Sequence, residues 1–192
     1  MIAAVRTPFT RAELCDALTV ACIQQLGWAE RATTKAIVCA QVALETGDGK
    51  ACVCHNPGNY RAGTGSPDTC EFLTTEWQGT PPAPVRQMGT FSAWPSLADG
   101  LGYHLDQLYT HWREAWDGAV AGDPMAFAAG LRTRGYYTAP LDQYAAGVKA
   151  WTAVYLPLFG PDPPAEEPPP LSPEMAAYLA RGSLLDSPTP SS

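Results

Sequence analysis

The chain has 192 residues, a formal net charge of −7 and 16% charged residues, against roughly 25% in an average globular protein. That length suits one folded domain and a tail, and the acidic balance argues against nucleic acid as a main partner. No run approaches the ~20 consecutive apolar residues of a membrane span. The N-terminus MIAAVRTPFTRAEL lacks the apolar core of a secretory signal, so synthesis in the cytoplasm is expected.

Thr10 and Glu13 have capping-box spacing, which predicts a first helix over about 11–26 with Leu14, Leu18, Ala21 and Cys22 inward and Gly27 as its stop. Ile37, Ala40 and Leu44 recur at helical spacing and predict a largely buried helix over 31–46, capped by Gly47. Residues 47–95 are punctuated by Gly, Pro, Thr, Asn and Asp, and read as a loop-rich lobe with short strands or a hairpin. Ser96 and Asp99 open another helix with the stripe Leu97, Leu101, Leu105, Leu108 and Trp112. Asp123-Pro124 starts a helix over 125–134, stopped by Gly135. The last helix spans about 141–155, with Tyr144, Val148, Trp151 and Tyr155 on its buried face. The folded domain is thus expected over 1–156, followed by a proline-rich linker over 157–173 and a short helix with an unstructured end over 174–192. Helices, a β-prone lobe, then helices predict an α+β domain with a cleft between its lobes.

All six cysteines lie within the first 70 residues. Cys15 and Cys22 would share one helix face as reduced, buried thiols. Cys52, Cys54, His55 and Cys70 lack a standard zinc spacing, so no metal is expected. A disulfide from the 52–54 loop to Cys70 is the stronger expectation, formed after release or export. No cofactor is expected either. His104 and His111, seven apart on one helix, read as surface or core-edge residues.

The most informative stretch is ALETGDG around Glu45. Glu45 falls in the last turn of an apolar helix, where the helix dipole and apolar surroundings both disfavour its ionised form. A carboxyl kept protonated near neutral pH is what a general acid in glycoside cleavage needs. The six tryptophans and eight tyrosines supply aromatic faces on which sugar rings could stack.

Four patterns follow one another: ALETGDG; HNPGNYRA from His55; TTEWQG from Thr74 with FSAWPS from Phe91; and GYYTAP from Gly135 with Tyr144. This ordered set resembles the bacterial peptidoglycan N-acetylglucosaminidases with a lysozyme-like fold, which include the flagellar rod-associated hydrolase, autolysins and phage lysins. Their motifs A-x-x-E-S-G-x-G, N-x-F-G-I-K, T-x-E-Y-x-x-G, F-R-x-Y-x-S and G-Y-A-T-D-P are matched, some loosely, across about residues 30–155.

By position, the resemblance implies Glu45 as general acid, Glu76 as a second carboxylate that positions or activates water, and Tyr136 as the tyrosine near the scissile bond. Asn56 and Asn59 suit N-acetyl recognition because their amides donate and accept, although N-P-G is also a turn signature. Tyr60, Trp77 and Tyr137 complete the expected substrate-binding set, and Glu71 competes with Glu76. Alternation after Gly135 suggests that one of Tyr136 and Tyr137 faces in and the other out. Three departures stand out: Asp48 in place of an aromatic residue, HNPGN in place of N-x-F-G, and Trp77 in place of tyrosine.

The expected function is cleavage of a β-1,4 bond in the glycan of peptidoglycan. A muramidase or lytic transglycosylase is the nearest alternative. A catalytically inactive wall-binding or structural module of a phage or secretion machine is the alternative of another class. The proline-rich tail could tether the protein to such a machine, which would deliver it to the wall by release or specialised export.

Overall fold

The Glu13 amide donates to the Thr10 hydroxyl, and the Thr10 amide donates back to the Glu13 carboxylate at 2.7 Å. This complete capping box opens helix α1 (Arg11–Leu26), which ends on Gly27 in the left-handed conformation. The structure is a computed structural model, and it describes residues 1–27, 30–63, 67–78 and 83–161, the side chains of 76–78 excepted.

Helix α2 (Ala32–Thr46) has 11 buried residues of its 15, as its apolar run requires. It packs against α6 (Leu141–Tyr155), with α1 and α4 (Arg113–Val120) on its other sides. One predicted residue of α2 behaves differently: Leu44 is 36% exposed at the edge of the α6 contact rather than in the core. Helix α3 (Leu97–Thr110) starts on Ser96, whose hydroxyl accepts from the Asp99 amide, and buries Leu101, Leu105 and Leu108 against α1. The predicted stripe runs on to Trp112, but the helix stops at Thr110, and Trp112 becomes the non-helical residue before α4. Pattern reading misses α4 because it is eight residues long and has no side-chain cap. Helix α5 (Pro124–Thr133) begins at the Asp123 cap, whose carboxylate accepts from the amides of Met125 and Ala126.

Strands β1 (Asp68–Gln78) and β2 (Ala83–Ala93) form one antiparallel hairpin, longer than the short strands expected. Cys70 pairs with Phe91 and Phe72 with Gly89, and the Phe72 and Phe91 rings stack at 4.1 Å. Cys54, Cys70, Phe91 and Ala93 make a small second core under this hairpin. The N-terminal segment belongs to this lobe: Ile2 bridges to Cys70 and Arg6 to Val53. All six cysteines are buried free thiols, so the expected link to Cys70 is not formed, although Cys54 lies against Cys70.

Helix α6 runs into a short 3-10 turn (Leu156–Leu158), and Phe159 packs back on the helical core with the Lys35 ammonium over its ring at 4.7 Å. Ordered packing therefore reaches a few residues into the segment read as linker. The rest of that linker and the terminal helix lie outside the described residues. Among the described residues no helix is long and apolar enough to cross a membrane.

Candidate active site

Helix α2 presents Glu45 in its final turn, and the turn that follows is locked by Thr46. The Thr46 hydroxyl donates to the Val42 carbonyl at 2.6 Å and accepts from the Gly49 amide at 3.0 Å. Either serine or threonine supplies that hydroxyl, which accounts for the exchange in this motif. Gly49 has φ +82°, and a Cβ there would overlap the Phe9 carbonyl, so both conformation and space require glycine.

Asp48 takes no part in the site. The Arg11 guanidinium grips its carboxylate through Nε and Nη2, the latter at 2.7 Å, and the Tyr155 hydroxyl donates to it at 2.9 Å. The departure from an aromatic residue is therefore a clamp joining α1, the α2 turn and α6. Arg11, then Tyr155, hold the Asp48 carboxyl below its ordinary pKa despite partial desolvation. The clamp's stability is present above the unfolded carboxylate range and is lost as pH falls through the lowered native value. Thermal melts of the wild type and Asp48→Asn should differ at neutral pH and converge in acid; a constant difference would exclude the charge as its source.

The loop after the turn is strained and strongly braced. The described non-glycine residues with positive φ are Asp48, Cys54, His55 and Asn59, all in this one stretch. Each such residue costs on the order of 1 kcal/mol, and surrounding contacts must hold it. Asn56 provides much of that hold. Its amide donates to the carbonyls of Tyr60 and Ser92 at 2.9 and 3.1 Å, and its oxygen accepts from the Tyr60 amide at 2.9 Å. Asn56 is buried, so this geometry fits the loop-shaping reading of N-P-G rather than contact with a sugar. His55 is tied to the Thr7 hydroxyl and the Trp94 carbonyl, and Gly100 of α3 lies so close that a Cβ would overlap the His55 carbonyl.

This bracing delivers Asn59 to Glu45: its amide donates to the Glu45 carbonyl at 3.0 Å and lies beside the carboxyl as well. From the other side come the hydroxyls of Tyr136, in the turn after α5, and Tyr144, in the first turns of α6. Both hydroxyls are buried and complete no hydrogen bond of good geometry among the described residues, yet each stands near enough to favour the ionised Glu45. Burial outweighs them, so the Glu45 carboxyl is held above its ordinary pKa.

The structure therefore brings together Glu45, Asn59 and Tyr136 of the expected set, and adds Tyr144. Tyr60 forms the wall behind them. Its ring lies near Tyr103, Trp94 and Trp112, and its hydroxyl bonds to His104. Tyr137 stacks on Tyr144 at 3.8 Å and donates its hydroxyl to the Ala128 carbonyl at 2.9 Å. Tyr136 and Tyr137 are thus both half-buried and both turned inward, against the expected alternation, because 135–140 is a turn and not a strand. His104 is fully buried, not at the surface or core edge, because α3 is enclosed by the tyrosine wall and α2. Glu76 and Trp77 lie in β1 opposite Val85 and Pro84, and their side chains lie outside those described. Glu71 is exposed and accepts from the Thr90 hydroxyl across the hairpin.

Tyr144 is legible in the sequence as a residue of the fourth pattern and of a buried helix face, not as a partner of Glu45, and Gln41 is missed altogether. Gln41 is a polar residue on an otherwise apolar helix, one turn before Glu45.

Comparison with solved structures returns bacterial wall hydrolases. A peptidoglycan hydrolase mutant from Sphingomonas sp. A1 superposes with a TM-score of 0.55 at 22% identity, covering 73% of this chain and 92% of that one. The catalytic domain of the autolysin Auto from Listeria monocytogenes gives 0.58 at 18% identity, covering 81% and 89%. The glycoside hydrolase domain of FlgJ from Salmonella typhimurium gives 0.52 at 20% identity, covering 74% and 93%. The fold is the one these hydrolases share. It is the mainly helical, lysozyme-like α+β fold that the motif order implied. No family model matches the sequence, and no curated protein matches it.

Proposed function

We propose that this protein is a peptidoglycan hydrolase that cleaves a β-1,4 bond between N-acetylglucosamine and N-acetylmuramic acid, with Glu45 as general acid. The observation that carries this reading is a half-buried glutamate whose carboxyl is held above its ordinary pKa by desolvation, with Asn59, Tyr136 and Tyr144 beside it at the end of α2. A protonated Glu45 gives its proton to the glycosidic oxygen as the bond to the anomeric carbon breaks. The tyrosine hydroxyls then stabilise the carboxylate left behind, which lowers the barrier to that transfer. Glu76, carried on the hairpin, is the proposed second carboxylate, acting on the attacking water. Peptidoglycan strands are the proposed partner, reached after release or specialised export.

A second reading is lytic transglycosylase chemistry, in which the sugar's own hydroxyl attacks and one acid suffices. It needs only the acid and groups that steady it, and Tyr136, Tyr144 and Asn59 are such groups beside Glu45. Digestion of purified peptidoglycan with mass spectrometry of the released fragments separates the readings. Reducing N-acetylglucosamine ends support the glucosaminidase. Reducing muramic ends mean a muramidase, and anhydromuramic ends a transglycosylase. Binding to the wall with no new ends would make the protein a non-catalytic wall-binding module.

A further inference from the structure

Behind the site lies a chain of buried polar groups. His104 of α3 is fully buried, and its Nε2 is 3.1 Å from the Gln41 Oε1 while its Nδ1 bonds to the Tyr60 hydroxyl. Burial pushes the imidazole pKa down to about 4, so the ring is neutral at neutral pH and has one donor and one acceptor. An amide oxygen only accepts, so Nε2 carries the hydrogen. Nδ1 must then accept, and Tyr60 donates to it. Among the described residues the Gln41 Nε2 is left over, buried and without a partner of good geometry, as is the Tyr136 hydroxyl. These two unpartnered groups lie near each other, and the Tyr136 hydroxyl lies near Glu45. Tyr136 has one hydrogen. If its oxygen accepts from Gln41, that hydrogen is directed at the Glu45 carboxyl.

We propose that Gln41 and His104 are positioning residues: the ordered chain Tyr60–His104–Gln41–Tyr136 turns the Tyr136 hydroxyl into a fixed donor to Glu45. Each link uses the only hydrogen-bonding sense its neighbour leaves open, and two otherwise orphaned buried groups become partners, as buried polar groups require. Tyr144 from α6 faces the same carboxyl, and Tyr103 and Asp106 of α3 face the Tyr60 end; none of them interrupts the chain.

The first test needs no variant. Nitrogen NMR of the full chain should show His104 as a neutral ring with hydrogen on Nε2 across neutral pH; hydrogen on Nδ1 would reverse the chain and overturn the proposal. The second is a double-mutant cycle on the Glu45 titration, followed by carboxyl-carbon NMR. Tyr136→Phe and Gln41→Met should each move the Glu45 titration upward, and Gln41→Met should add nothing once Tyr136 is Phe. Independent, additive shifts, or none from Gln41→Met in a folded protein, would overturn it. The activity readout rests on the function proposed above. There, Gln41→Met should lower kcat by about three- to tenfold with KM unchanged, as expected for one hydrogen bond strengthened in the transition state. The NMR arms are independent of turnover, so an inactive protein with the ordered chain would sink the function and leave the relay standing.

Discussion

Glu45→Gln should lower glycan cleavage by about 10²–10⁴-fold, the usual contribution of a general acid, without loss of fold. The stability sign distinguishes this from simple damage. The native state raises the Glu45 pKa, chiefly by burial, so folding favours the protonated carboxyl, and ionising it costs stability as pH rises above the unfolded carboxylate value. Glutamine keeps the shape and removes that cost. At neutral pH the variant should melt at or above the wild-type temperature while being nearly inactive. A variant that is inactive and also melts well below the wild type would mean that Glu45 is needed for packing. In the wild type, cleavage should decline as pH rises through the raised pKa of Glu45, because only the protonated form gives a proton to the leaving oxygen. A wild-type rate that holds constant through the Glu45 titration would remove Glu45 from the acid role.

Gly130→Ala should be strongly destabilising to the helical lobe. Helices α4 and α5 meet backbone to backbone through two glycines: a Cβ on Gly130 would overlap the Ala115 nitrogen, and one on Gly118 would overlap the Phe127 nitrogen. Alanine in place of glycine in a helix is intrinsically favourable by about 1 kcal/mol. Here the obstacles are backbone atoms, which cannot rotate aside. Overpacking costs of about 1–3 kcal/mol or more should therefore win, with a net loss of about 2 kcal/mol in denaturant unfolding. Gly147→Ala on α6 is the control. Its Cβ would meet only the tip of Leu44 at 3.2 Å, and Leu44 is partly exposed. The propensity gain should prevail there, giving up to about 1 kcal/mol of added stability. Equal effects at 130 and 147 would show that helix propensity, not the α4–α5 approach, sets the outcome.

Glu45 stood out in the sequence because its position follows from local rules: helical periodicity and a left-handed glycine cap place it in a last turn with no long-range knowledge. The same rules located α1, α3 and α5 from side chains that cap amides a few positions away, and α2 and α6, which have no side-chain N-cap, from their apolar periodicity. Helix α4 escaped them, since it is held by the glycine contact with α5 and not by its own caps.

What surrounds Glu45 was less legible. Asn56 and Asn59 are alike in sequence, but one is consumed by its own loop and the other reaches Glu45, a difference set by loop strain and by Ser92 on the hairpin. Tyr136, Tyr137 and Tyr144 could each have been packing or chemistry. Only the approach of α6 to α2 turns the hydroxyls of Tyr136 and Tyr144 toward one carboxyl and that of Tyr137 toward Ala128. In the sequence Asp48 is only a departure from an aromatic residue; the fold places Arg11 and Tyr155 on its carboxylate. By itself, then, the sequence determined five of the six helices, the side-chain caps of α1, α3 and α5, and the place of Glu45, because those depend on interactions within one or two turns. The tertiary structure alone decided the upward shift of the Glu45 pKa, the tyrosines beside it and the buried Gln41–His104 contact behind it, because desolvation and hydrogen bonding depend on groups that only the packing of distant segments brings together.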